Sequence, residues 1–294
     1  MRRQNPIPST GPERPIDRPG AVWTLLLATA VTESVLLVLP SFIGALGDEL
    51  RLPARHLGLL GSADLIGVAL ATATGPFWVR RASWRRTALA ALLAFLLCNA
   101  ACFGIHRFAP LLAVRVLAGL AAGAGYTVGL AAIMDTARAA HNVGRLLATE
   151  VVLSALGVYG LYAVPGVWRL QAGYGYVLVW AVICLPLVWC YFPDDPGERR
   201  PAAAPRWRRI ALRGALVLAG AGLYFLMIGG VWGYLEGIAR EAGLTLPQTG
   251  RALSLGLVVS LLGAGTAAVM GLRWGRALPL ALSGVFYFLA AGRL

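Results

Sequence analysis

The chain has 294 residues, 58% of them hydrophobic and 13% charged, and its 26 basic and 13 acidic side chains leave a net charge of +13. A soluble domain carries about 25% charged residues, so a water-soluble fold of this length would lack polar surface to cover it. Every basic residue is an arginine, and the arginines sit in short tracts between apolar stretches, which argues against a nucleic-acid module with one basic face and makes the lipid bilayer the solvent.

Residues 1–20 are rich in Pro and Arg and predict a disordered tail. A membrane-crossing helix needs about 20 predominantly apolar residues. Six charge-poor stretches follow, at 19–47, 57–79, 87–105, 108–134, 146–168 and 170–193. A polar run from Pro193 to Arg209 reads as a linker, and three more stretches come after it, at 214–235, 252–272 and a short 277–292. Their Leu, Ala, Val and Gly content, without strict polar alternation, predicts helices and not a lipid-facing barrel. The expected organisation is a tail (1–20), a six-helix bundle (21–192), a linker (193–209) and a partial bundle of three helices (210–294).

If successive connections alternate sides, 18 arginines fall on one side and 7 on the other, with Arg115 inside a span. The positive-inside rule makes the richer side, with the N terminus, cytoplasmic; the expected location is the inner (plasma) membrane. Cys98, Cys102, Cys184 and Cys190 lie in apolar stretches without a ligand cluster and read as small hydrophobes. No metal or cofactor is expected.

Two turns repeat. Gly75-Pro-Phe-Trp-Val-Arg80-Arg81-Ala-Ser-Trp-Arg85-Arg86 follows the second helix of the first set, and Met270-Gly-Leu-Arg273-Trp-Gly275-Arg276 that of the second. On these residues the chain resembles the major facilitator superfamily of secondary transporters. Gly75, Arg80, Arg85 and Arg86 match the family's loop pattern, while Val79 replaces its acid and Ala82 its second glycine. In the second copy Arg273, Gly275 and Arg276 match, while Leu272 and Ala268 do not. Arg115 followed by Gly119 and Gly123 is similar to the family's fourth helix, whereas Gly157, Gly160, Pro165 and Gly166 match its antiporter motif poorly. The resemblance implies an all-α polytopic membrane fold with a complete six-helix N-terminal bundle and a partial three-helix second bundle, truncated after the ninth helix. It also implies that the matching loop residues act as a conformational latch.

An unpaired charge in the bilayer costs several kcal/mol, so four groups need partners: Glu33 near the middle of span one, Asp64 in span two, Arg115 in span four and Glu150 in span five. Arg115 is expected to pair with Glu33 or Asp64. Such a pair binds substrate, relays a proton or switches partners, or it is a static ion pair that fixes helix packing. Glu150 reads as an interfacial residue or a partner of a loop arginine such as Arg145, and Asp135 and Arg138 read as loop residues. Gly119 and Gly123 recur on one face and favour close helix packing. Glu236, after Trp232 and Tyr234, is a gating candidate at the end of span seven, or else a solvated acid beyond an aromatic anchor.

The leading expectation is secondary active transport of a small solute coupled to protons, by alternating access and without catalytic residues. The partners expected are the bilayer, the solute and protons. A non-transporting truncated relative with a structural or sensory role is the alternative. An integral membrane enzyme is disfavoured because His56, His106 and His141 are scattered over different loops.

Overall fold

The computed structural model describes residues 14–194 and 231–273, without the side chains of 263–273, and the isolated positions 220, 282, 284 and 285. Among the described residues all regular structure is helical. In chain order the helices are α1 (Pro19–Thr32), α2 (Ser34–Leu37), α3 (Leu39–Leu50), α4 (Ala54–Trp78), α5 (Trp84–Ala101), α6 (Phe108–Asp135), α7 (Ala139–Ala163) and α8 (Arg169–Tyr191). Residues 231–241 form α9, and Leu246–Arg273 form α10.

Five of these, α4 to α8, are long and apolar enough to cross a membrane, and α1, equally apolar, has only 14 residues. The described residues therefore support a multi-spanning all-α fold, with five such helices where nine spans were expected. The stretch expected at 252–272 falls within α10. Those expected at 214–235 and 277–292, and the linker from residue 195, lie wholly or largely outside the described residues.

The span expected at 146–168 is shifted toward the N terminus as α7. Pro165 disfavours helical geometry at Val164, which is extended with ψ 140°. At the other end Asn142 donates to the Thr136 hydroxyl (3.0 Å), tying the first turn of α7 to the end of α6. The described part of the 1–20 segment is folded, contrary to the expected loose tail. Pro15–Asp17 form a 3-10 turn, Asp17 accepts the Ala137 amide (2.7 Å) and Arg14 donates to the Asp135 carbonyl (3.1 Å).

The run α1–α2–α3 is one broken rod. Glu33 forms the first joint (φ −91°, ψ −2°) and Val38 the second. Pro40 has no N–H to give the Leu36 carbonyl four residues earlier. In lipid that carbonyl needs another donor, and Trp232 of α9 supplies it through Nε1 (3.1 Å). Ser154 of α7 donates to the neighbouring Leu37 carbonyl (2.8 Å). The break is thus stitched by two other helices.

Ile66, Leu70, Phe77, Leu97 and Val182 are each more than half exposed, an outer surface suited to lipid and not to water. Inside, one apolar cluster gathers Leu26, Trp84, Phe95 and Val188 and a second gathers Phe42, Leu111, Leu161 and Tyr174. Between α4 and α6 the glycines let backbones touch: a Cβ on Gly123 would lie 2.8 Å from Val68 Cα, and one on Gly119 would overlap the Asp64 backbone.

Candidate functional site

The glycine contact between α4 and α6 sets the first buried charge cluster. Because Gly119 lies against the Asp64 backbone, Arg115, one turn earlier on α6, comes level with the Asp64 side chain. Nε and Nη2 of Arg115 donate to Asp64 Oδ2 at 3.0 and 2.6 Å. Nη1 donates to Asn99 Oδ1 (2.9 Å), and the Asn99 amide donates to the Phe95 carbonyl (2.8 Å). The Phe42 ring lies 5.3 Å from the guanidinium. Arg115 is 1% exposed and Asp64 5%, so the pair is locally neutral and sealed. Of the two partners open to Arg115 in the sequence, Asp64 is the one in contact. Asn99 was missed, since one amide in an apolar run carries no periodic signal.

Glu33 stands elsewhere, at the joint between α1 and α2, and stays partly exposed. Three contacts fix its surroundings. Arg145 of α7 stacks over Trp23 of α1, Ser154 bonds Leu37, and a Cβ on Gly157 would meet Val38 at 2.6 Å. Residue numbers rise together along both elements, so α7 runs parallel to the broken rod. Leu37 and Ser154 are 117 positions apart, and so are Glu33 and Glu150, one turn earlier on each helix. Glu150 therefore faces the Glu33 level. It is 7% exposed, and its Oε1 has no hydrogen-bond partner among the described residues. This corrects the reading of Glu150 as an interfacial group. From α6, Gly125 packs against Thr32, which brings Tyr126 to the same level.

A third cluster lies at the end of the bundle away from the Arg80 turn. Glu236 of α9 is 1% exposed, which rules out the solvated-acid reading. Its carboxylate accepts from Arg169 Nη2 (2.9 Å), Tyr162 Oη (2.6 Å) and Arg240 Nη2 (2.7 Å). Arg169 Nη2 and Arg240 also reach Asp48 of α3, at 3.0 Å and at 2.6 and 2.9 Å. The Asp48 carboxyl is held below the usual carboxylate range, first by the hydrogen bond from Arg240 and against the opposing effect of burial. That same bond pushes Arg240 up. Gly44 leaves the room that the Glu236 carboxylate occupies. Asp48, Arg169 and Arg240 were not singled out beforehand, because acids and arginines at helix ends look like solvated loop charges until α3, α7, α8 and α9 are packed together.

At the basic end Arg80 binds Asp135, the last residue of α6, through both terminal nitrogens, one at 2.8 Å. That contact pushes the Arg80 guanidinium up. Arg85 Nε donates to the Phe192 carbonyl (2.8 Å), and Ser83 donates to Asp194 (2.6 Å). The turn after α4 thus grips the ends of α6 and α8. Gly75 sits where a Cβ would meet Thr127 at 2.7 Å, and Arg86 is exposed. In the second copy Gly275, Arg276 and the Arg273 side chain lie outside the described residues. No group of three or more His, Cys, Asp or Glu is arranged to hold a metal among the described residues.

The structure is similar to that of a D-xylose-proton symporter, with a TM-score of 0.63 at 12% identity over 85% of this chain and 68% of the symporter; identity this low bears on the fold alone. No curated protein matches the sequence. The Major Facilitator Superfamily model matches residues 22–294. Broken apolar helices, buried ion pairs and this match agree: the chain belongs to the Major Facilitator Superfamily, a family of membrane transporters and not of enzymes.

Proposed function

We propose that the chain moves a small solute by proton-coupled alternating access, in the inner (plasma) membrane with its N terminus cytoplasmic. In this reading 21–192 form a six-helix bundle, 193–209 link it, and 210–294 contribute three helices of a second bundle. One observation carries the proposal. Described side chains of α9 and α10 meet the first set of helices through Trp232 at Leu36, Arg240 at Asp48, Glu236 at Arg169 and Tyr162, Gly250 against Tyr162, and Ser254 at Ala155. Ion pairs that join two sets of helices can open and re-form as the sets rock between two openings.

Within that cycle Glu236 with Arg169 and Arg240 forms the far-end latch. Gly75, Arg80, Arg85 and Arg86, with Arg273, Gly275 and Arg276, form the basic-end latch. Glu33 carries the proton. Asp64 and Arg115 hold α4 and α6 together beside it, and here the static ion-pair reading is favoured by the full use of Arg115 by Asp64 and Asn99.

The test is uptake into proteoliposomes from a panel of labelled sugars, amines and organic acids, with and without a proton gradient. Accumulation that follows the gradient and is lost in Glu33→Gln supports the reading. Uptake indistinguishable among wild type, Glu33→Gln and Arg115→Ala for every solute overturns it.

A further inference from the structure

We propose that Glu33, Glu150 and Tyr126 form a binding site for an organic cation, which exchanges there with a proton. The inference rests on the transport reading for its purpose and on side-chain placement for its substance.

The charges of the bundle are otherwise spent. Arg115 is used by Asp64 and Asn99, Arg169 by Asp48 and Glu236, and Arg80 by Asp135. Among the described residues that are not exposed, the charged groups left without a counter-charge are acids: Glu33 at the break of the first rod, and Glu150 behind it with a buried, unpartnered oxygen. Two carboxylates at one level in a low-dielectric interior cannot both stay ionised without a positive partner. That partner is either a proton or a bound cation, and the two compete.

The surroundings favour an organic cation over a bare metal ion. Alongside the carboxylates stands Tyr126, a partly exposed aromatic ring that can cover a cation with its face. Other ionisable neighbours are already engaged. On α8 the Tyr176 hydroxyl donates to the Leu153 carbonyl (2.6 Å), and Cys184 is buried in the apolar cluster. On α7 Arg145 lies more than a turn from Glu150 and stacks on Trp23. On α6 Arg115 lies about three turns from Tyr126. The broken rod adds mobility at the site, since discontinuous helices mark binding positions in such transporters.

The experiment measures equilibrium binding of tritiated tetraphenylphosphonium to the purified full-length chain in detergent, at roughly pH 5.5 and 8. One proton competing with one cation gives affinity that rises about tenfold per pH unit across the competing range. The expected result is tighter binding at the higher pH, proton release on binding in weak buffer, and loss of both in Glu150→Gln and Glu33→Gln. Glu241→Gln, at an exposed position, keeps both. Competition by sodium as strong as by tetraethylammonium would overturn the organic-cation assignment. Binding independent of pH and unchanged in a monodisperse Glu150→Gln would overturn the site. The pH dependence and proton release of the wild type test the idea even if a variant fails to fold. Uptake of a sugar or an acid in proteoliposomes, without cation binding, would sink this inference and leave transport standing. Cation binding without uptake of any solute would do the reverse.

Discussion

Two pairs of charged side chains lie within the helices of this bundle and have opposite characters. Asp64 and Arg115 are complementary and sealed, and all three guanidinium nitrogens of Arg115 donate, two to Asp64 and one to Asn99. Glu33 and Glu150 carry like charge, sit at a helix break and have an oxygen to spare. The first pair can fasten α4 to α6 but offers nothing to a ligand without being torn open. The second contributes little to cohesion and is left able to accept a proton or a cation. Within one bundle, a buried charge that is paired serves the scaffold, and one left unpaired is available for chemistry.

The strongest way to break this contrast is to remove the cation of the sealed pair. Arg115→Ala leaves Asp64 buried without its partner and should cost roughly 3–5 kcal/mol, read as a loss of thermal stability in detergent. A cost below about 1 kcal/mol would mean that Asp64 is not held as a carboxylate by Arg115, and the distinction between the pairs would fall. Gly119→Ala should cost about 1–3 kcal/mol by pushing α4 away from α6, again by thermal unfolding. The same change at the exposed Gly144, where an added Cβ meets nothing, should have no such cost.

Glu150→Gln should behave in the opposite way. It removes a carboxylate that has an unpartnered oxygen, so stability should stay within about 1 kcal/mol of wild type or rise. A destabilisation as large as that of Arg115→Ala would place Glu150 in the scaffold and erase the comparison. The smallest effect belongs to the far-end latch. The depressed folded pKa of Asp48 means that its contribution is present above its unfolded value, near 3.9, and is lost as pH falls through the folded value. Because Asp48 is 42% exposed in its pair with Arg240, the contribution should stay under about 1 kcal/mol. The stability difference between wild type and Asp48→Asn, followed from neutral to acid pH, should shrink toward zero below about pH 4.

How much could be seen in advance depended on the range of the signal. Spans corresponding to α4, α5, α6 and α8 were legible because each is a continuous apolar run, and lipid demands that the run bond its own backbone. The α7 boundary was missed because polar residues such as His141 and Asn142 diluted the start of that run. Arg115 announced itself as a lone charge among glycines, and the need for a partner followed at once. The choice of Asp64 over Glu33 did not, because it depends on the backbone contact at Gly119.

The sequence by itself determined the solvent, the helical class and the resemblance to a transporter family, since hydropathy, arginine placement and loop motifs are local and additive along the chain. Only the tertiary structure decided which charges meet. Glu150 turned from an interfacial acid into the neighbour of Glu33 through the parallel register of α7 on the broken first rod. Glu236 turned from a rim acid into the centre of a four-helix ion-pair cluster. A hydrogen bond needs its donor and acceptor within about 3 Å, and in a low-dielectric interior a charge met or left unmet carries a large energy, so the packing of helices, and not the order of residues, decides whether a buried charge is spent or available.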